Sequence, residues 1–183
     1  LTARHDTEVP VGGCVDYLLS RDDVDADRIG LYGASLGGYY APRAASFEHR
    51  LECCVVDGAQ FNVNRAVDVL ENMGDTIQYM HAKWVFGAKD IQELREITKL
   101  FNLEGIARNI RCPILIVHGD QDVWGTQMAK DLITEAKLGS AEVSTKWFTP
   151  EDTGAQHCQV DNPTIGMEFI WDWFSQKLGT IQK

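Results

Sequence analysis

The sequence has no apolar stretch approaching the roughly 18 to 20 residues that a membrane span requires, and its first residues, LTARHDTEVP, lack the charged-then-apolar order of a secretory leader. A soluble protein with no membrane partner is expected. Basic residues are in the minority: 17 Lys and Arg face 27 Asp and Glu, for a formal charge of -10. No basic run interrupts that acidity to form a phosphate-binding stripe, which argues against nucleic acid as a partner. The five cysteines, at 14, 53, 54, 112 and 158, are odd in number and lack CxxC spacing, so neither a disulfide framework nor a zinc knuckle is indicated. A reducing compartment, the cytoplasm, fits this usage. No HExxH pair, GxGxxG or GxxxxGK[ST] occurs, so no metal, nucleotide or other cofactor is expected. Internal repeats and low-complexity segments are also missing.

What remains is a 183-residue chain, 44% apolar and 24% charged, in which helical and strand patterns alternate. Val11, Val15, Leu18 and Leu19 mark a helical face, and RIGLYGAS then reads as a buried strand ending at Ser35. LGGYYAPRAASF is helical, with Pro42 in its first turns or bending it, and CCVVDGA is a second buried strand ending at Asp57. Residues 61–109 read as a helical insertion, a cap over the core formed by 1–60 and 110–183. CPILIVHGD is a third strand; Met128, Ala129, Leu132, Ile133 and Ala136 mark a helix; and VSTKWFTP is a fourth strand. Asn162-Pro163 starts a terminal helix with Ile165, Phe169, Ile170 and Trp173 on its buried face. This order predicts an α/β fold with a parallel sheet flanked by helices. Four strands are few for that architecture, and the first would keep a bare edge, so partner strands at the N-terminal side are inferred to be missing.

Gly33-Ala34-Ser35-Leu36-Gly37 is a G-x-S-x-G pentapeptide between a strand and a helix, the context this motif requires. A sharp turn there exposes the Ser, demands glycines on both sides where a Cβ would collide, and points the Leu36 N–H at a developing oxyanion. Gly38 eases the same crowding. A plain packing turn or a phosphate-binding turn is the alternative. A hydroxyl needs a base oriented by a carboxylate. Asp122, in His118-Gly119-Asp120-Gln121-Asp122 after the third strand, is the acid favoured; Asp120 and Asp57 remain alternatives. His157 lies in the loop after the last strand and suits the base, whereas His118 suits a structural hydrogen bond and Cys158 small-residue packing.

GLYGASLGGYYAPRAAS, CPILIVHGDQDVW and GAQHCQVDNP, in that order, resemble the α/β-hydrolases over most of the chain. The SLGGYYA segment and the His-Cys pair before Asp-Asn are similar to a branch with 2,6-dihydroxypseudooxynicotine hydrolase and fungal pigment-pathway hydrolases, whose members cleave a carbon–carbon bond next to a ketone, while related enzymes cleave esters. The resemblance implies acyl-type hydrolysis of a small molecule by Ser35, Asp122 and His157. It also implies early strands and a second oxyanion donor that precede this segment, supplied by an N-terminal portion of the same protein or a separate chain. A homodimer is compatible with it. Met73, Tyr79, Met80, Trp84 and Phe86 of the insertion, with Tyr39 and Trp124, are expected around a pocket for a bulky or aromatic substrate. Two other readings stay open: a serine peptidase of the prolyl-oligopeptidase type, and a non-catalytic interaction domain that kept the fold.

Overall fold

A computed structural model describes residues 2–74 and 76–179. Four parallel strands, β1 (Gly30–Ala34), β2 (Cys53–Asp57), β3 (Ile114–Gly119) and β4 (Val143–Phe148), lie side by side in sequence order. β1 pairs with β2 from Gly30↔Cys53 to Ala34↔Asp57, and β3 with β4 from Ile114↔Val143 to Gly119↔Phe148. Every residue of β2 and β3 is buried, which is why CCVVD and ILIVHG are unbroken apolar runs relieved only at their carboxyl ends. β1 was expected to be buried as well. It is only partly covered, because it forms an edge of the sheet and its outer side has no strand beside it among the described residues.

Alternation along the strands builds two cores. Cys54, Val56, Ile114 and Ile116 point to the face covered by α1 (Glu8–Leu19), α2 (Gly37–Ala45) and α6 (Gln127–Ala136), through Val15, Ala41 and Leu132. Cys53, Val55, Leu115 and Val117 point to the other, where α7 (Pro163–Leu178) packs Ile170, Trp173 and Phe174. Each strand steps in the same direction from the last, so right-handed crossovers put α2 and α6 on one face, and α7 covers the other. Two expected core positions are corrected. Phe169 is 38% exposed and Phe174 takes the buried place, and Leu19 ends α1 at 39% exposure. Phe169 sits about a quarter-turn from Ile170 around α7, and Leu19 is the last residue of α1.

Between β2 and β3 come α3 (Val63–Met73), α4 (Ile77–Phe86) and α5 (Ile91–Thr98). α3 starts at an Asn62 side-chain cap, α4 at Thr76 and α5 at Asp90, each accepting a backbone N–H of its first turn. The two roots of this segment meet: Asn62 bridges Asn102, the Val63 N–H donates to the Phe101 carbonyl and the Leu103 N–H to the Phe61 carbonyl, both at 3.0 Å.

Candidate active site

Parallel strands end on one side of the sheet, and there the chain gathers Ser35 after β1, Asp57 at the end of β2, Asp122 after β3 and His157 after β4. Ser35 sits at φ 56°, a left-handed conformation costly for a residue with a Cβ. The turn is held by the Ser35 N–H donating to the Asp57 carbonyl at 2.9 Å and the Gly38 N–H donating to the Ser35 carbonyl at 2.7 Å. Among the described residues the Leu36 N–H, next along the chain, has no acceptor.

The glycines of the pentapeptide are not equivalent. A Cβ on Gly33 would stand 2.2 Å from the Gly37 carbonyl oxygen, and one on Gly38 2.4 Å from that of Gly58, whereas one on Gly37 would meet nothing within 4 Å. The expectation that both flanking glycines avoid collision is therefore corrected at Gly37. The crowded partner is Gly38, because the turn after β2 packs onto it.

His157 Nε2 lies 2.8 Å from Ser35 Oγ, and its Nδ1 lies 2.8 Å from Asp122 Oδ2. The Asp122 side chain is wholly buried, and its other oxygen accepts the Trp124 N–H at 2.8 Å. Asp120, by contrast, is exposed and uses its backbone N–H to bond the Phe148 carbonyl. His118 is buried behind Asp122 with Nε2 at 3.2 Å from the Gly125 carbonyl and 3.6 Å from Asp122 Oδ2. Burial holds its imidazole below the usual range, so it is neutral, donating through Nε2, with Nδ1 buried and unpartnered among the described residues.

A second layer backs the loop of His157. Cys158 and Gln159 both adopt positive φ, 48° and 51°, and Gln159 is buried against Gly154 and Gly166, where any Cβ would strike it. Burial raises the Asp57 carboxyl above the ordinary carboxylate range; the Tyr32 hydroxyl donates to it at 3.2 Å. Burial and the neighbouring Asp57 push the Cys158 thiol up to about 12, so it remains protonated at neutral pH.

A cavity of about 310 Å³ opens on Ser35 and His157. Leu36 and Trp124 form its near wall; α3 contributes Val63, Ala66 and Leu70, and α4 contributes His81, Ala82 and Val85, with Phe86 behind. Of the residues expected around a pocket, Phe86 and Trp124 line this cavity. Tyr39 and Trp84 do not. Tyr39 is fully buried beneath α2, its hydroxyl donating to the His5 carbonyl at 2.8 Å, because position 39 lies on the helix face turned into the core. Trp84 is 78% exposed, since the cavity face of α4 runs through 81, 82 and 85 and carries position 84 outward. Met80 is also exposed, and Met73 and Tyr79 pack against the core instead. The aliphatic walls from α3 and α4 and the polar lining residues Gln60, Gln78 and His81 were not anticipated; for Gln60, in the turn three residues beyond β2, the one advance signal is its place at the carboxyl end of a parallel strand. Among the described residues no cluster of His, Cys, Asp and Glu could hold a metal, all five cysteines are free, and no helix is long and apolar enough to cross a membrane.

Known proteins carry the same arrangement of elements. The solved structure of 2,6-dihydroxy-pseudo-oxynicotine hydrolase superposes with a TM-score of 0.77 at 25% identity, covering 96% of this chain and 47% of that one. Among curated proteins, hydrolase LUC6 of a Fusarium species is 27% identical over 98% of this chain and 51% of its own length. The 20-hydroxy-prefusarin hydrolase FUS2 of Gibberella moniliformis is 28% identical over 63% of this chain and 35% of its own. The chain therefore spans about half, or less, of the length of the relatives it matches. The fold is that of the α/β-hydrolases. Residues 11–180 match the prolyl oligopeptidase family, and the chain belongs to that family.

Proposed function

We propose that this chain is the catalytic portion of a serine hydrolase acting on an uncharged small-molecule carbonyl compound, by way of an acyl-enzyme. The reading is carried by one observation, the unbroken run of hydrogen-bonding contacts from Ser35 through His157 to the buried Asp122, each 2.8 Å. In it Ser35 Oγ attacks the carbonyl carbon while His157 Nε2 takes its proton; His157 then delivers that proton to the leaving group, and water, deprotonated by the same nitrogen, releases the acid. Asp122 fixes the tautomer that leaves Nε2 free to accept, and the Leu36 N–H faces the negative charge on the former carbonyl oxygen. Relatives named as hydrolases support hydrolysis; the bond proposed to break is a carbon–carbon bond next to a ketone, or an ester.

A peptidase is the second reading, favoured by the family itself and by a likeness in fold, TM-score 0.69 at 18% identity, to an acylaminoacyl peptidase of Pyrococcus horikoshii. An N-terminal portion that adds strands to β1 belongs to the proposal too: the strand is a bare edge, with a groove beside it between Tyr32, Trp171 and Phe174.

Fluorophosphonate labelling of the purified protein tests the assignment, with aryl esters, β-diketones and peptide anilides offered as substrates. Labelling abolished in Ser35→Ala and in His157→Ala is the expected result. A wild-type protein that is folded yet unlabelled would instead indicate a binding domain on the same fold.

A further inference from the structure

We infer that Gln60 is a specificity-determining residue that hydrogen-bonds an uncharged keto or hydroxyl oxygen of the substrate, within a largely apolar pocket; the inference rests on the proposed hydrolase reading of the same cavity.

The residue is placed by an irregularity in α2. Pro42 lies inside that helix and has no N–H to give to the carbonyl four residues earlier, which is that of Gly38. That carbonyl turns outward and accepts the Gln60 N–H at 3.3 Å instead. Gly38, without a Cβ, also lets the Gly58 carbonyl and Ala59 come against the helix, so the turn carrying Gln60 is seated on the same helix that follows Ser35. The position of the side chain is thus coupled to the nucleophile through two hydrogen bonds rather than left to a free loop.

What the side chain does there is unfinished. Gln60 is 5% exposed and faces the cavity that contains Ser35 and His157. Its amide, two donors and an acceptor, has no hydrogen-bond partner among the described residues. Among the described residues the side-chain atoms both buried and unpartnered belong to Asp57, His118 and Gln159, so the Gln60 amide is reached from the cavity and is free to bond a group that enters it. The surrounding lining sets what that ligand group is. Val63, Ala66, Leu70, Ala82, Val85 and Phe86 offer apolar surface, Gln78 and His81 add polar edges on the α4 side, and among the described residues no Lys, Arg, Asp or Glu lines the cavity. A carboxylate, phosphate or ammonium would enter with no Lys, Arg, Asp or Glu to pair it, at a desolvation cost that an amide cannot offset. A neutral oxygen on an apolar body matches both the walls and the amide.

Binding can be read without turnover. Dissociation constants of 4-phenylbutan-2-one and butylbenzene, which share a carbon skeleton and differ by one carbonyl, are measured through quenching of tryptophan fluorescence, Trp124 being part of the cavity wall. The ratio of the hydrocarbon's constant to the ketone's is expected to fall about tenfold from wild type to Gln60→Met, a side chain of similar length without hydrogen-bonding groups. Gln60→Glu, which places a charge against the carbonyl at neutral pH, is expected to lower the ratio as well, and serves if the Met variant does not fold. An unchanged ratio in a folded variant overturns the inference. Failure of wild type to react with fluorophosphonate, with the ratio still dependent on Gln60, would overturn the hydrolase reading and leave a binding pocket of the stated chemistry.

Discussion

Gly58 lies against the imidazole of His157: a Cβ built on it would stand 2.9 Å from Cε1 and 3.2 Å from Nδ1, at a backbone φ of 68° that disfavours any side chain. The glycine is therefore part of the back wall that keeps the ring between Ser35 and Asp122. Gly58→Ala is expected to remove about 10²-fold from kcat toward an aryl ester by displacing the ring, while circular dichroism remains that of a folded protein. Unaltered kcat would mean that the ring has room to move.

The two carboxylates after β3 differ in a way that turnover can read. Asp122→Asn leaves the shape in place but favours the wrong imidazole tautomer, and kcat is expected to fall about 10⁴-fold. Asp120→Asn, altering an exposed side chain, is expected to stay within about threefold of wild type. A larger loss at Asp120 than at Asp122 would reassign the acid.

Neighbouring glycines in the elbow should respond oppositely. Gly37→Ala adds a methyl where nothing lies within 4 Å, in the first turn of α2, and is expected to leave stability unchanged or raise it by up to about 1 kcal/mol. Gly38→Ala forces the Gly58 carbonyl away and is expected to cost about 1–3 kcal/mol. Urea midpoints of the two variants check the contrast.

His118 gives the fold an acid-side weakness. Burial depresses its pKa in the folded protein, so the unfolded chain takes up the proton first as pH falls. Its contribution is complete above the unfolded value of about 6.5 and is lost progressively below it, down through the folded value. His118→Gln is expected to flatten stability against pH in that window, measured by chemical denaturation between about pH 5 and 7. An identical slope in wild type and variant would assign the acid sensitivity elsewhere.

The strands were legible because β2 and β3, covered on both faces, are written as runs of apolar residues, and because each is followed by the Gly or Asp that ends it. The gathering of Ser35, Asp122 and His157 was legible for a related reason: strands that run parallel deliver whatever follows them to one side. The cavity walls were not. Aromatic side chains drew attention to Tyr39 and Trp84, yet which face of a helix meets the cavity depends on how that helix is rotated in the fold, and one position along α4 reverses the answer. Gln60 escaped notice because its role arises from a carbonyl freed by Pro42, eighteen positions earlier in the chain.

The meeting of the segment's two roots, where Asn62 bridges Asn102 and Phe61 and Val63 bond to Leu103 and Phe101, has a consequence for how such a protein can diversify. Chain entering and leaving at one spot can be lengthened, shortened or exchanged like a cassette, since doubling a closed loop costs only about 0.6 kcal/mol in entropy. The sheet and the residues at its carboxyl ends need not register the change. Much of the cavity wall is thereby written in a stretch of sequence apart from Ser35, Asp122 and His157, and that stretch can be rewritten while those residues are kept.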